Sequence, residues 1–211
     1  TVGCNLNTKT KMKIMNIKIK LLTILFLTLS YSVNGQEYKK NIETEFTEYL
    51  NSIVNMEFEK SVEYITPEFF EIVPKSQMIK MMEQSFNNPT MEFEIKNPQI
   101  LNIEDSKKIE NKYYSLLTYS NQMNMKIYGE EDETTDDKEK RIDLTKQTLE
   151  QTFGAENVYY NNETDFFEIQ SQKDVYSISE NGITEWKFLV IEKNQKMILD
   201  RILPKELSDR I

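Results

Sequence analysis

Glu130-Glu131-Asp132-Glu133 with Asp136 and Asp137 places six carboxylates in eight positions. Carboxylate oxygens suit a hard cation, but calcium takes six to eight of them at defined spacing, with a glycine at the sharp turn of its best-known loop. Here Gly129 precedes the run and no such spacing follows. The run reads as a solvated surface loop, and no metal is expected there. A second group is aromatic. Tyr113, Tyr114, Tyr119, Trp186 and Phe188 fall in segments of strand character. Aromatics on strands usually form core. As a ligand site they would line an apolar pocket between a sheet and its helices, with Tyr113, Tyr119, Trp186 and Phe188 as the candidate binding residues. Glu185 and Asp200 are candidate bases near such a pocket, set against a surface rich in acids. Met78, Met81, Met82, Met123 and Met125 read as core filler, or as an adaptable contact surface.

What is missing narrows the chemistry further. The chain has no histidine, and its one cysteine is Cys4. That excludes Ser-His-Asp and Cys-His catalysis and nearly every zinc, copper or haem site. Catalysis would fall to carboxylates, Tyr or Lys. No cofactor is expected, and catalytic residues cannot be named from the sequence.

The elements that would position these residues are legible from periodicity. Ile42, Phe46, Tyr49 and Ile53 recur at helical steps over Glu37 to Asn55, with Glu43, Glu45, Glu48 and Asn51 on the other face. Pro67 breaks the continuation through Phe58, Val62 and Ile65. A short helix over 68–71 and a third helix capped by Ser76 follow, the latter ending at Asn87-Asn88-Pro89. From residue 90 the period becomes two. Met91, Phe93 and Ile95 alternate with polar residues, Asn97-Pro98 interrupts, and 100–103 resumes. Residues 109–127 form one long strand or two, with Tyr113, Ser115, Leu117 and Tyr119 on one face and Tyr114, Leu116 and Thr118 on the other. Thr134 and Asp137 resemble a capping pair for a helix over 135–153 that stops at Gly154. Strands are expected at 158–160, 165–170, 174–179 and 184–192, with Asn181-Gly182 as a hairpin signal. The last strand, around Trp186, is apolar on both faces and reads as central. Ile198 to Leu203 is helical again.

Residues 1–35 read as an address. Lys13, Lys18 and Lys20 precede an apolar run, Leu21 to Leu29, and then small residues up to Gly35. The run is too short for a bilayer span of about 20 residues. A signal peptide cleaved near Gly35 is expected, with residues 1–11 upstream of it and 36–211 a single α+β domain. The product would be exported, periplasmic or extracellular, without stable membrane insertion once the leader is removed. Removing the five leader lysines from a net charge of −9 leaves −14. Such a surface repels phosphate backbones, so nucleic acid is not an expected partner.

Helices first, then an antiparallel sheet with an inserted helix, then a Trp-containing strand and a closing helix: this order resembles the NTF2-like (cystatin-like) α+β superfamily. In Tyr64-Ile65-Thr66-Pro67-Glu68-Phe69-Phe70-Glu71, Val73-Pro74-Lys75-Ser76, Phe86-Asn87-Asn88-Pro89 and Glu185-Trp186-Lys187-Phe188-Leu189, the chain is similar to uncharacterised exported proteins of Bacteroidetes. The resemblance implies N-terminal helices packed on a curved antiparallel sheet, with an inserted helix and a C-terminal helix. It leaves function open, because the fold hosts enzymes, binding modules and assembly domains. The leading expectation is a non-enzymatic domain that binds a small apolar ligand or a protein partner through the concave sheet face. The alternative is an NTF2-like isomerase or dehydratase moving a proton with a buried carboxylate and a Tyr.

Overall fold

The computed structural model describes residues 37–211. The leader and its cleavage point near Gly35 lie outside the described residues. The chain divides into two compact units, Thr1–Lys40 and Asn41–Ile211. In the first, the described residues 37–40 are helical. The second is α+β, with helices packed on a curved, open, antiparallel sheet of six strands.

Helix α1 runs over residues 37–54. Its apolar stripe of Ile42, Phe46, Tyr49 and Leu50 is buried. α2 (Phe58–Ser61) passes into a 3-10 turn, Val62–Tyr64. Thr66 is extended before Pro67, as a residue preceding proline prefers, and a second 3-10 turn covers Pro67–Glu71. α3 (Lys75–Phe86) begins one residue before Ser76, so the expected cap is not used and Pro74 occupies the cap position. α3 docks by its end: the Phe86 ring lies 5.2 Å from Phe58 and 5.3 Å from Phe93.

The strands are β1 (Met91–Ile103), β2 (Lys107–Ile109), β3 (Lys112–Ile127), β4 (Val158–Asn161), β5 (Phe166–Ser179) and β6 (Lys187–Val190). The order is β1-β3-β5-β4, with β2 also beside β3 and β6 also beside β5. β3 and β5 form the spine, in unbroken register from Tyr113↔Ser179 to Met125↔Phe167. β1 is one strand, not two. Asn97, at φ 51°, and Pro98 sit in a register shift, the place where an edge strand tolerates a residue without an N–H. β5 is likewise one strand. Its polar middle, Ser171-Gln172-Lys173, breaks the hydrophobic pattern but not the backbone ladder. β6 is shorter than expected and not central. It pairs with β5 alone, and a bridge from Ile65 to Phe188 covers its other edge.

Alternation along β3 gives the sheet two faces, both covered. Tyr119, Met123 and Met125 look toward α1 and the inserted helix α4 (Thr135–Phe153). Leu149 of α4 packs with Phe167, Ile169 and Val158 there, flanked by Ile142 and Phe153. Tyr114 and Leu116 look the other way. They meet Tyr176, Ile178 and Leu189 and, from α5 (Lys196–Ile202) and α6 (Lys205–Ser208), Leu199 and Leu207. Among the described residues no helix is long and apolar enough to cross a membrane.

Candidate functional site

Three of the four aromatics singled out from the sequence lie in the layer beneath α1. The Phe46 ring sits 5.0 Å from Tyr119 and 4.9 Å from Phe188, both edge-on. Burial pushes the Tyr119 phenol up to about 12 and raises that of Tyr49 as well. Trp186 is fully buried and donates Nε1–H to the Ile183 carbonyl at 3.0 Å. Tyr113 stands apart from this cluster. Its ring lies against Gly182, where any Cβ would come within 2.6 Å, and Lys108 Nζ lies over it at 5.3 Å. Gly182, at φ +73°, is therefore held to glycine twice, by conformation and by space.

Asn181-Gly182 does lead from β5 to β6, but through a wider loop than a two-residue hairpin. Asn181 Oδ1 accepts from the backbone N–H groups of Ile183 and Thr184. The widening leaves two more N–H groups without ladder partners, and α1 supplies them. Glu45 accepts from Glu185 N–H at 3.1 Å and from Trp186 N–H at 2.6 Å. Asn41 Nδ2 donates to the Ile183 carbonyl at 2.9 Å. A residue on the polar face of α1 by sequence is thus a clamp on the entrance to β6. Burial raises the Glu45 carboxyl, against the lowering effect of those two N–H bonds. A carboxyl raised on folding holds its proton better in the native state. Its contribution to stability is complete below the unfolded carboxylate range and is lost as pH rises through the native value. Glu45→Gln removes one acceptor and this pH dependence together. The expected cost is about 1–3 kcal/mol at neutral pH, and the difference from wild type should grow on acidification, because only wild type gains stability as the raised carboxyl takes up its proton. Urea melts at several pH values read both.

The open cavity lies on the opposite face of the sheet. About 440 Å³ is enclosed between β3, β5, α6 and the 104–107 turn. Tyr114, Leu116, Tyr176, Ile191 and Leu207 form its apolar lining, and Glu104, Asp105, Lys107, Asp174 and Arg210 its charged part. Tyr114 and Tyr176 are more than nine-tenths buried. Among the described residues neither hydroxyl has a hydrogen-bond partner, and burial raises both phenols. A buried Tyr usually finds such a partner, so both hydroxyls are available to a guest. Asp174 Oδ1 accepts from Thr118 at 2.7 Å, which fixes one carboxylate of the lining. Tyr113, Tyr119, Trp186 and Phe188 do not line this cavity. Of the aromatics considered together in the sequence, Tyr114 does. Tyr176 was not singled out. Its signal was the alternation of Asp174, Tyr176 and Ile178 along β5, meaningful only once the β3 register is known.

Glu185 and Asp200 lie elsewhere. Asp200 is exposed and paired with Lys196 at 2.8 Å, which lowers its carboxyl. Glu185, at φ 59°, lines a shallow cleft with Thr66, Lys112 and Lys187.

The acid run has a division of labour. Thr134 caps α4, accepting from Asp137 N–H at 3.2 Å and donating to Asp137 Oδ2 at 2.7 Å, which is the anticipated capping pair. Asp136 and Asp137 sit in the first turn, where the helix dipole favours them. Glu133 forms a two-pronged pair with Arg141, both contacts at 2.7 Å, and Arg141 also donates to the Ile127 carbonyl at 2.6 Å. Glu133 thus ties the run back to the end of β3. Among the described residues no group of three or more Asp, Glu, Cys or His is arranged to hold a metal ion. No family model, no curated protein and no solved structure matches this chain.

Proposed function

We propose that the protein is an exported α+β domain of NTF2-like type that binds a small ligand, with an apolar body and a polar group, in the cavity beneath α6. The observation that carries this reading is the pair of hydroxyls on the buried residues Tyr114 and Tyr176, which open to the cavity without a protein partner among the described residues. Leu116, Ile191 and Leu207 give such a ligand an apolar bed, and the two phenols give its polar group a donor and an acceptor. Export rests on the leader pattern, and the NTF2-like assignment on the order of elements.

Native mass spectrometry of the exported protein tests this. Wild type should carry a noncovalent small-molecule adduct. Leu116→Trp, which fills the cavity, should lose it while retaining a native circular dichroism spectrum. Ligand-free wild type, or an adduct that survives Leu116→Trp, would reject the cavity as the site. Proton-transfer catalysis is the second reading, favoured by the presence of Tyr176, Asp174 and Glu104 in one cavity. An enzyme of that kind would exchange a carbon-bound hydrogen of the recovered ligand with heavy water, and Asp174→Asn would stop it. A binding protein leaves that hydrogen in place.

A further inference from the structure

On the sheet's other side, a polar cleft of about 400 Å³ opens between the C-terminal turn of α4 and the middle of β5. We propose that it is a second binding site, for a neutral polyhydroxyl ligand of the size and chemistry of a disaccharide.

The first observation is an interruption in an apolar face. Along β3 and β5 the cross-strand pairs looking toward α1 and α4 include Leu117↔Val175, Tyr119↔Lys173 and, further on, Met123↔Ile169 and Met125↔Phe167. Between Tyr119↔Lys173 and Met123↔Ile169 falls Asn121↔Ser171. Each of these two residues is 8% exposed. Asn121 Oδ1 is buried with no hydrogen-bond partner, and the Ser171 hydroxyl also has none among the described residues. Asn121 does not line the cleft, so the unpaired group open to a guest is the Ser171 hydroxyl. Ser171 itself lines the cleft.

The second observation is a gap in the sheet. The outer edge of β5 pairs with β4 over Phe166 to Ile169 and with β6 over Val175 to Ile178. Residues 170–173 between them have β3 on one side and, among the described residues, no strand on the other. Their outward backbone groups are donors and acceptors at the cleft wall. The opening is closed at both ends by a strand, which leaves too little length for an extended peptide to build a ladder.

The lining then selects the ligand. Ser120, Thr152, Asn157, Gln170, Ser171 and Gln172 make its lining polar and uncharged. The one charged lining residue, Lys173, is held by Glu192 at 2.9 Å. Among the described residues no carboxylate lines the cleft to hold a cation, no unpaired cation lines it to hold an anion, and its polar lining does not suit a hydrocarbon. A neutral molecule that both donates and accepts along its length matches this set. The site lies apart from the Tyr114–Tyr176 cavity and does not depend on it.

An amide-detected NMR titration of the full chain tests the proposal, with maltose, cellobiose, lactose and N,N′-diacetylchitobiose as probes. At least one should move the side-chain amides of Asn157 and Gln172 and the backbone of 170–173, saturably and together. Ser171→Val should weaken that disaccharide by at least about tenfold and raise the melting temperature, since it replaces an unpaired hydroxyl that packs beside apolar pairs. Exposed Gln172→Ala, which leaves the core untouched, should weaken it without changing stability. The proposal is overturned if no disaccharide shifts these resonances saturably, or if affinity is unchanged in both variants. It also falls if inorganic phosphate or tetra-alanine, and not a sugar, titrates the same amides.

Discussion

Trp186→Ala should destabilise the protein by about 3–5 kcal/mol, the usual cost of emptying a large buried aromatic site. Trp186 is fully buried, and its indole N–H satisfies the Ile183 carbonyl. The same loop carries the N–H groups that Glu45 clamps. Alanine therefore leaves a void and loosens the entrance to β6 at once. Such a loss is a large share of the 5–15 kcal/mol that holds a typical domain together. Urea unfolding followed by circular dichroism measures it. The chain has one Trp, so wild-type fluorescence should be blue-shifted when folded and move to the red in the same transition. A variant with wild-type stability and a lost adduct would move Trp186 from core to ligand site.

Phe46→Ala should cost a comparable amount, about 3–5 kcal/mol. The ring is fully buried and meets Tyr119, Phe188 and Tyr49 at 5.0, 4.9 and 5.8 Å between centroids. It is the contact through which α1 reads both β3 and β6. A double-mutant cycle with Phe188→Leu should return a coupling of about 0.5–1.5 kcal/mol beyond burial, as expected for an edge-on aromatic pair. Additive losses would mean that the two rings only fill volume.

The helices were legible because their signals are local. The stripe Ile42, Phe46 and Tyr49 and the Thr134 cap with its Gly154 stop each need only one turn of context. The two-faced character of β3 was legible for the same reason. Strand continuity was not. Ser171-Gln172-Lys173 looks like a break because side-chain polarity is visible in a sequence and ladder pairing is not. The cavity was hidden by the same gap in information. Tyr113 and Tyr114 are neighbours in sequence and face opposite sides of the sheet, so grouping them mixed two surfaces. Tyr176 joins Tyr114 only through the β3–β5 register. Glu45 sits among solvent-facing acids of α1 and finds its partners 140 residues away. No periodicity within a helix reports a contact of that length.

The irregularity at Asn97-Pro98 also governs how this protein behaves in a crowd. β1 is thirteen residues long and, among the described strands, pairs only with β3. A straight strand of that length would offer its free edge to another copy and start intermolecular sheet growth. The register shift bends that edge, Pro98 removes a donor from it, and Glu92, Glu94 and Lys96 place charge along its first half. The bulge at which β1 shifts its register against β3 is thus also a barrier to self-templated sheet growth from this edge.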